Sequence, residues 1–351
     1  MKTLCITLIS ITSMLMLGIL TFSCQNDDTI NNPQSINQKL TPSPIAIPSN
    51  SLVWDESYHP DEMKTKASSS INHSSEMAVT TPNIYIGGLY TAASIEDLTF
   101  SYIPNPIKSI DIAYTFPRYY FDHIERPSVT AMYRSINKAI ESPAFTGKQS
   151  LSFEYDFREF TYWKELKLAF GANVNIAGIF KLDASINQEK IKGSSGLFAR
   201  IVQKNYSLIM DYPQNGNIFL NETDLNSTAP SSPLYINSII FGRIGIIAIE
   251  SDYSYNELKT AFKVALTAGK INGELNITSE QKTILQSSQM KLFVSGGIGQ
   301  DVAKIVEGYD KFKEFIINGG EFTKDVPGVP IFFTANYAAD NSVFSTTFTS
   351  N

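Results

Sequence analysis

Two stretches of this chain alternate apolar and polar residues with a period of two, inside segments whose composition also suits a helix. That double periodicity limits what the chain can fold into. The first stretch puts Leu166, Leu168, Phe170, Val174, Ile176, Phe180, Leu182, Ala184 and Ile186 on one side, with Lys167, Gly171, Asn173, Asn175, Lys181, Asp183 and Asn187 between them. The second runs Leu258, Phe262, Val264, Leu266 and then changes phase to Ile271, Leu275 and Ile277. Its other side carries Lys259, Lys263, Thr267, Asn272, Glu274 and Asn276. Read as strands, both segments have one face suited to lipid and one suited to water.

A membrane-spanning strand needs roughly 9–11 tilted residues. The runs 166–176 and 180–190 each fill that span around a short loop at Ala177-Gly178-Ile179. An odd loop keeps parity on both strands, as the unbroken even-numbered series requires. In the second stretch the phase flips across Gly269–Gly273, which an even loop produces, and Asn272-Gly273 is a tight-turn dipeptide. Lys270 then falls on the apolar side near the tip. The same residues also make a helical face, with Leu258, Phe262, Ala265 and Leu266 at i, i+4, i+7 and i+8.

With 43% hydrophobic and 18% charged residues among 351, the chain has material for a sizeable core. Its formal charge is −6, and the segment before Cys24 holds only Lys2, so the remainder stands at −7. An acidic chain gains nothing from attraction to nucleic acid or anionic lipid. Lys2, the apolar run from Leu4 to Phe22 and Ser23-Cys24 read as a secretory signal over 1–23. Thr21-Phe22-Ser23-Cys24 resembles a lipobox, which makes Cys24 the expected lipidation site. Gln25-Asn26-Asp27-Asp28 is similar to the acidic export tag of some surface lipoproteins. The expected localisation is therefore an exported outer-membrane or cell-surface lipoprotein. Cys5 is the only other cysteine and leaves with the signal, so no internal disulfide is expected.

Residues 24–80 are rich in Asn, Ser, Pro and Thr and read as a flexible tether or pro-segment, with the folded body beginning near Asn83. Of three histidines, two lie in the tether and His123 stands alone, so neither His-based catalysis nor a zinc site is supported. No nucleophile–base pair and no phosphate loop stands out, no cofactor is implied, and an enzyme is not expected. Helical spacing predicts helices over 127–142 and 301–318. Runs rich in β-branched residues predict strands over 197–210, 234–250, 291–295 and 329–338. Strands and helices mix without a βαβ rhythm, which predicts an α+β fold on a mainly antiparallel sheet.

Several blocks occur in an order that resembles the cholesterol-dependent cytolysins, a branch of the membrane-attack-complex/perforin superfamily. They are Ile86-Gly87-Gly88-Leu89 through Asp111, Tyr162-Trp163-Lys164 with Asn173-Val174-Asn175, Pro233–Ile236 with Phe241-Gly242-Arg243, Glu257–Leu266, Val294–Gly297, and Pro327–Ile331 with Asp340-Asn341. The resemblance covers about residues 83–345. It implies a bent, twisted central sheet flanked by helical clusters that refold into two transmembrane hairpins. It further implies a hinge at Gly296 and Gly297, and Tyr162 or Trp163 as aromatics that set strand register between subunits. Arg243 reads as a partner for an internal carboxylate. The family normally continues into a C-terminal β-sandwich that recognises cholesterol, and this chain stops at Asn351, so a core over 81–351 without that domain is expected.

Four strands inserted in lipid leave open edges whose unpaired backbone groups cost several kcal/mol each, so insertion demands a closed, oligomeric barrel. The expected partners are further copies in a homo- or hetero-oligomeric ring, a longer homologue that recognises the membrane, and target membrane lipid. The competing expectation is a non-lytic surface lipoprotein, an adhesin or scaffold, using the same fold.

Overall fold

The computed structural model describes residues 71–350 apart from 147–148, 151–153, 184–189, 269, 272–273, 297–302 and 320. The expected signal, Cys24 and all of the expected tether up to residue 70 lie outside the described residues, as do Ile186 and Gly297.

Two long strands organise the molecule. They are β8 (Ser195–Met210) and β9 (Pro233–Ser251), paired antiparallel over most of their length. β9 is rich in Ile, and both strands are buried along most of their length, so both faces of the sheet are covered there. Before them in the chain come β1 (Ile71–Ser74), β2 (Met77–Ala78), β3 (Leu89–Thr91), the hairpin of β4 (Ile110–Tyr114) and β5 (Tyr120–Ile124), the short β6 (Gln149–Ser150) and β7 (Glu154–Glu159). After them come the small ribbon of β10 (Lys270–Ile271) and β11 (Glu274–Leu275), then β12 (Gln289–Ser295), β13 (Lys304–Glu307), β14 (Glu321–Phe322), β15 (Val329–Tyr337) and β16 (Thr346–Thr349).

The neighbours of β8 and β9 change partway along. The first half of β8 pairs with β7 and its last residues pair with β4. The second half of β9 pairs with β12, whose other edge takes β13, while its first half pairs with β15. The change falls at Arg243, because β12 ends opposite Ile244 and β15 begins opposite Gly242. A bulge between Lys204 and Tyr206 kinks β8 at the same level. Every pairing in the sheet is antiparallel, and helices lie among the strands, as the expected α+β class requires.

Two sequence expectations are corrected. The helix expected over 301–318 begins only at Tyr309; Lys304–Glu307 is instead the edge strand β13. Ile305 and Val306 suit a strand, and Gly308 at φ +84 separates the two elements. The described body also begins before Asn83, since β1 pairs with β16 from Ile71 onward.

Candidate membrane-insertion segments

Each alternating stretch sits between two strands of the sheet, and each is helical here. The first lies between β7 and β8. Glu165 accepts the N–H of Thr161 and of Tyr162, which starts a 3-10 turn over Trp163–Leu166. A one-turn helix follows over Lys167–Phe170 and stops at Gly171. Asn175 caps the next helix, Ile176–Phe180, by accepting the N–H of Gly178 at 3.0 Å. The second stretch lies between β9 and β12. Ser254 and Glu257 form a capping box ahead of the helix Tyr255–Thr267; the β10–β11 ribbon and a helix over Ser279–Ser287 complete it.

The two segments occupy opposite faces of the sheet. Side chains alternate along a strand, so Phe198, Ala248, Ile246 and Phe293 point one way, toward Leu166, Phe170 and Phe180. Leu197, Ile247, Ile249 and Leu292 point the other way, toward Leu258, Phe262 and Leu266. These are two separate apolar clusters. The first is locked by Phe170 against Phe293 (5.1 Å between ring centres) and Trp163 against Phe180 (6.0 Å). The second is locked by Phe262 against Phe312 (5.5 Å) and Phe157 (5.8 Å). Residues with a lipid-facing strand pattern are therefore core residues here: Leu166, Leu168, Phe170, Val174, Ile176, Phe180, Leu258, Phe262, Leu266 and Leu275 are all buried. Leu182, Val264 and Ile277 are half-buried, and only the backbone of Ile271 is described.

The strands flanking each segment carry information about it. β7 and β8 pair Glu154 with Val202 through Glu159 with Leu197. That register, continued along both chains, brings Phe170 opposite Ile186, Val174 opposite Leu182 and Ile176 opposite Phe180, with Gly178 at the tip. β9 and β12 pair Glu250 with Gln289 through Ile244 with Ser295. Continued in the same way, it brings Phe262 opposite Ile277, Val264 opposite Leu275 and Ala268 opposite Ile271. The change of phase in the second stretch is what this register needs to keep its apolar residues on one face. The ribbon seen here has a different register, with Lys270 opposite Leu275 and Ile271 opposite Glu274.

The other expected residues fall as follows. Trp163 is buried and donates its indole N–H to Glu250 at 3.1 Å, while Tyr162 is half exposed. Gly296 has φ +81, and a Cβ there would stand 2.6 Å from the carbonyl of Gly242. Gly242 is itself pressed on β8, with a Cβ position 1.9 Å from the carbonyl of Gln203. The glycine expected as a hinge thus sits where β9 changes partners, and Gly242 belongs to the same contact. Arg243 is buried with its guanidinium 4.1 Å from the ring centre of Phe315. Burial lowers that guanidinium to about 10, so it stays charged at neutral pH. Among the described residues no group of three or more His, Cys, Asp or Glu could hold a metal, and no helix is long and apolar enough to cross a membrane, which says nothing of strands.

Comparison with known proteins matches these features. Seeligeriolysin of Listeria seeligeri is 24% identical over 242 residues, covering 63% of this chain and 43% of that protein. Listeriolysin O of Listeria monocytogenes is 28% identical over 120 residues, covering 34% of this chain and 22% of that protein. The chain thus spans less than half the length of these relatives. Wild-type pneumolysin superposes with a TM-score of 0.64 at 22% identity, over 80% of this chain and 62% of that one. Suilysin from Streptococcus suis superposes with a TM-score of 0.61 at 19% identity, over 81% and 65%. The profile of the family described as "Thiol-activated cytolysin" matches residues 136–351, so the chain belongs to the thiol-activated cytolysins, a family of cytolysins and not of enzymes.

Proposed function

We propose that this protein forms pores: the segments 166–190 and 258–277 leave opposite faces of the sheet, refold as two β-hairpins and enter target membrane lipid as part of a closed ring. The observation that carries this reading is the register. The flanking strand pairs β7–β8 and β9–β12, continued without a shift, align the apolar series of each segment on one face. A helical packing segment has no need of that agreement, and two segments that differ in phase both have it. Gly296, Gly297 and Gly242 are the sites at which the sheet would change its bend. The ring is homo-oligomeric or includes a longer cytolysin-like homologue that recognises the membrane, because four strands with open edges are unstable in lipid. In this reading the chain is exported, lipidated at Cys24 and held at the cell surface by residues 24–70 until released.

Dye release from liposomes and target cells, with and without a longer cytolysin and before and after removal of the N-terminal segment, tests this. Leakage with rings visible by electron microscopy is expected. Absence of both under every combination rejects pore formation and leaves the non-lytic surface lipoprotein.

A further inference from the structure

The base of the first segment is out of register, and one carboxylate holds it there. If β7 and β8 continued their pairing, Tyr162 would face Ser194. It is bridged instead to Lys190, four residues away, and Ile191 donates its N–H to the carbonyl of Thr161 at 2.9 Å. Phe160, two residues earlier, is still in register, donating to the carbonyl of Gly196 at 3.0 Å. The surplus of four residues is taken up between Ile191 and Ser195. Glu250, at the end of β9, binds both sides of this misfit. One of its oxygens accepts the indole N–H of Trp163 at 3.1 Å. The other accepts the backbone N–H of Lys192 at 2.7 Å and of Gly193 at 3.3 Å. Gly193 can lie this close to β9 because it has no Cβ, which would come 2.7 Å from the carbonyl of Ser251. Lys190, Lys192 and Lys291 line the same cleft, so the carboxylate has cationic surroundings.

Resting on the pore-forming reading, we infer that Glu250 is the positioning residue that keeps the first segment folded, and that insertion requires residues 190–194 to slip by four into register with 162–166 once it lets go. Three N–H donors converge on one carboxyl group, and hydrogen bonds to a carboxylate are stronger than those between neutral groups. No carboxylate within the described residues ties both ends of the second segment to the sheet in this way. The first segment therefore gates insertion, and the slip converts the local misfit into the register that the rest of β7 and β8 already has.

Two measurements test this. Glu250→Gln keeps the shape but replaces one acceptor oxygen with an NH2 group, so either the indole or the two amides lose their partner. Amide exchange at Lys192, Gly193 and through 163–180 is expected to rise about tenfold or more, with 255–287 unchanged and Glu250→Asp intermediate. No rise, or an equal rise everywhere, overturns the clasp. The second measurement uses cysteine pairs in the full chain. Tyr162→Cys with Lys190→Cys is expected to oxidise in solution and to abolish leakage until reductant is added. Tyr162→Cys with Ser194→Cys is expected to cross-link only in the membrane-inserted form. Full leakage from the oxidised first pair, or cross-linking of the second pair in solution, overturns the slip. A wild-type chain that never leaks overturns the pore-forming reading and the slip with it, while the exchange result still decides whether Glu250 is a clasp.

Discussion

The guanidinium of Arg243 lies 4.1 Å from the centre of the Phe315 ring, where β9 exchanges β12 for β15. The pair joins the helix Tyr309–Ile317 to the strand at its change of partner. A desolvated cation over a ring face is worth about 2 kcal/mol, and a lysine cannot reproduce the flat contact. Arg243→Lys and Phe315→Leu are each expected to lower unfolding stability by roughly 1–2 kcal/mol. The double variant should lose less than the two effects added, which a denaturant-unfolding cycle measures.

Gly242→Ala is expected to be far more damaging than its size suggests. The new methyl would stand 1.9 Å from the carbonyl of Gln203, so one of the two central strands must move. A loss above about 3 kcal/mol, or failure to fold, is expected. Circular dichroism with thermal melting checks it, and an unchanged Tm would show that the contact can relax.

Asp156 on β7 supplies a pH dependence. Burial raises its carboxyl to about 6, against the attraction of Arg158 and the N–H donated by Phe157. In the unfolded chain the same group titrates near its ordinary value of about 3.9. The folded state therefore favours the proton. Its penalty is absent below about pH 4, grows between pH 4 and 6, and is complete above 6. The full difference corresponds to ~3 kcal/mol, which screening by partial exposure reduces to about 1–2 kcal/mol. Asp156→Asn should remove this slope from the urea midpoint measured across pH 4–7, and an unaltered slope would assign it to other groups.

Thr346 on β16 donates its hydroxyl to the carbonyl of Gly171 at 2.7 Å, in a buried position at the end of the helix Lys167–Phe170. The β1–β16 ribbon thereby touches the first segment at a point remote in sequence from Glu250. Thr346→Val keeps the shape and leaves a buried carbonyl short of a donor, a cost of roughly 1–3 kcal/mol. Faster amide exchange around Gly171 is the measurement that locates the effect.

Much of the architecture is visible in local patterns. β8, β9, β12 and β15 follow from β-branched runs, and the helix Val129–Glu141 follows from apolar residues at helical spacing. The start of the helix at Tyr255 is legible in Ser254 and Glu257, whose capping box is a local motif. Lys304–Glu307 was not legible, because Ile305 and Val306 continue the helical spacing of the following segment and only pairing with β12 makes them a strand. Glu250 also escaped, since an isolated glutamate at the end of an apolar run gives no sign that three donors from residues 163–193 will reach it.

By itself the sequence determined that two segments can expose a continuous apolar face as strands or bury one as helices, because side-chain direction follows backbone period and the residues satisfy both periods. It also carried the change of phase that distinguishes the second segment from the first. Which period is realised, which face of the sheet each segment covers, and in what register its flanking strands pair were decided only by tertiary structure. Those depend on partners far along the chain: Phe293 for Phe170, Phe312 for Phe262, and Glu250 for the backbone at Lys192. A local pattern offers both conformations, and packing against the two long strands selects one by burying its apolar residues.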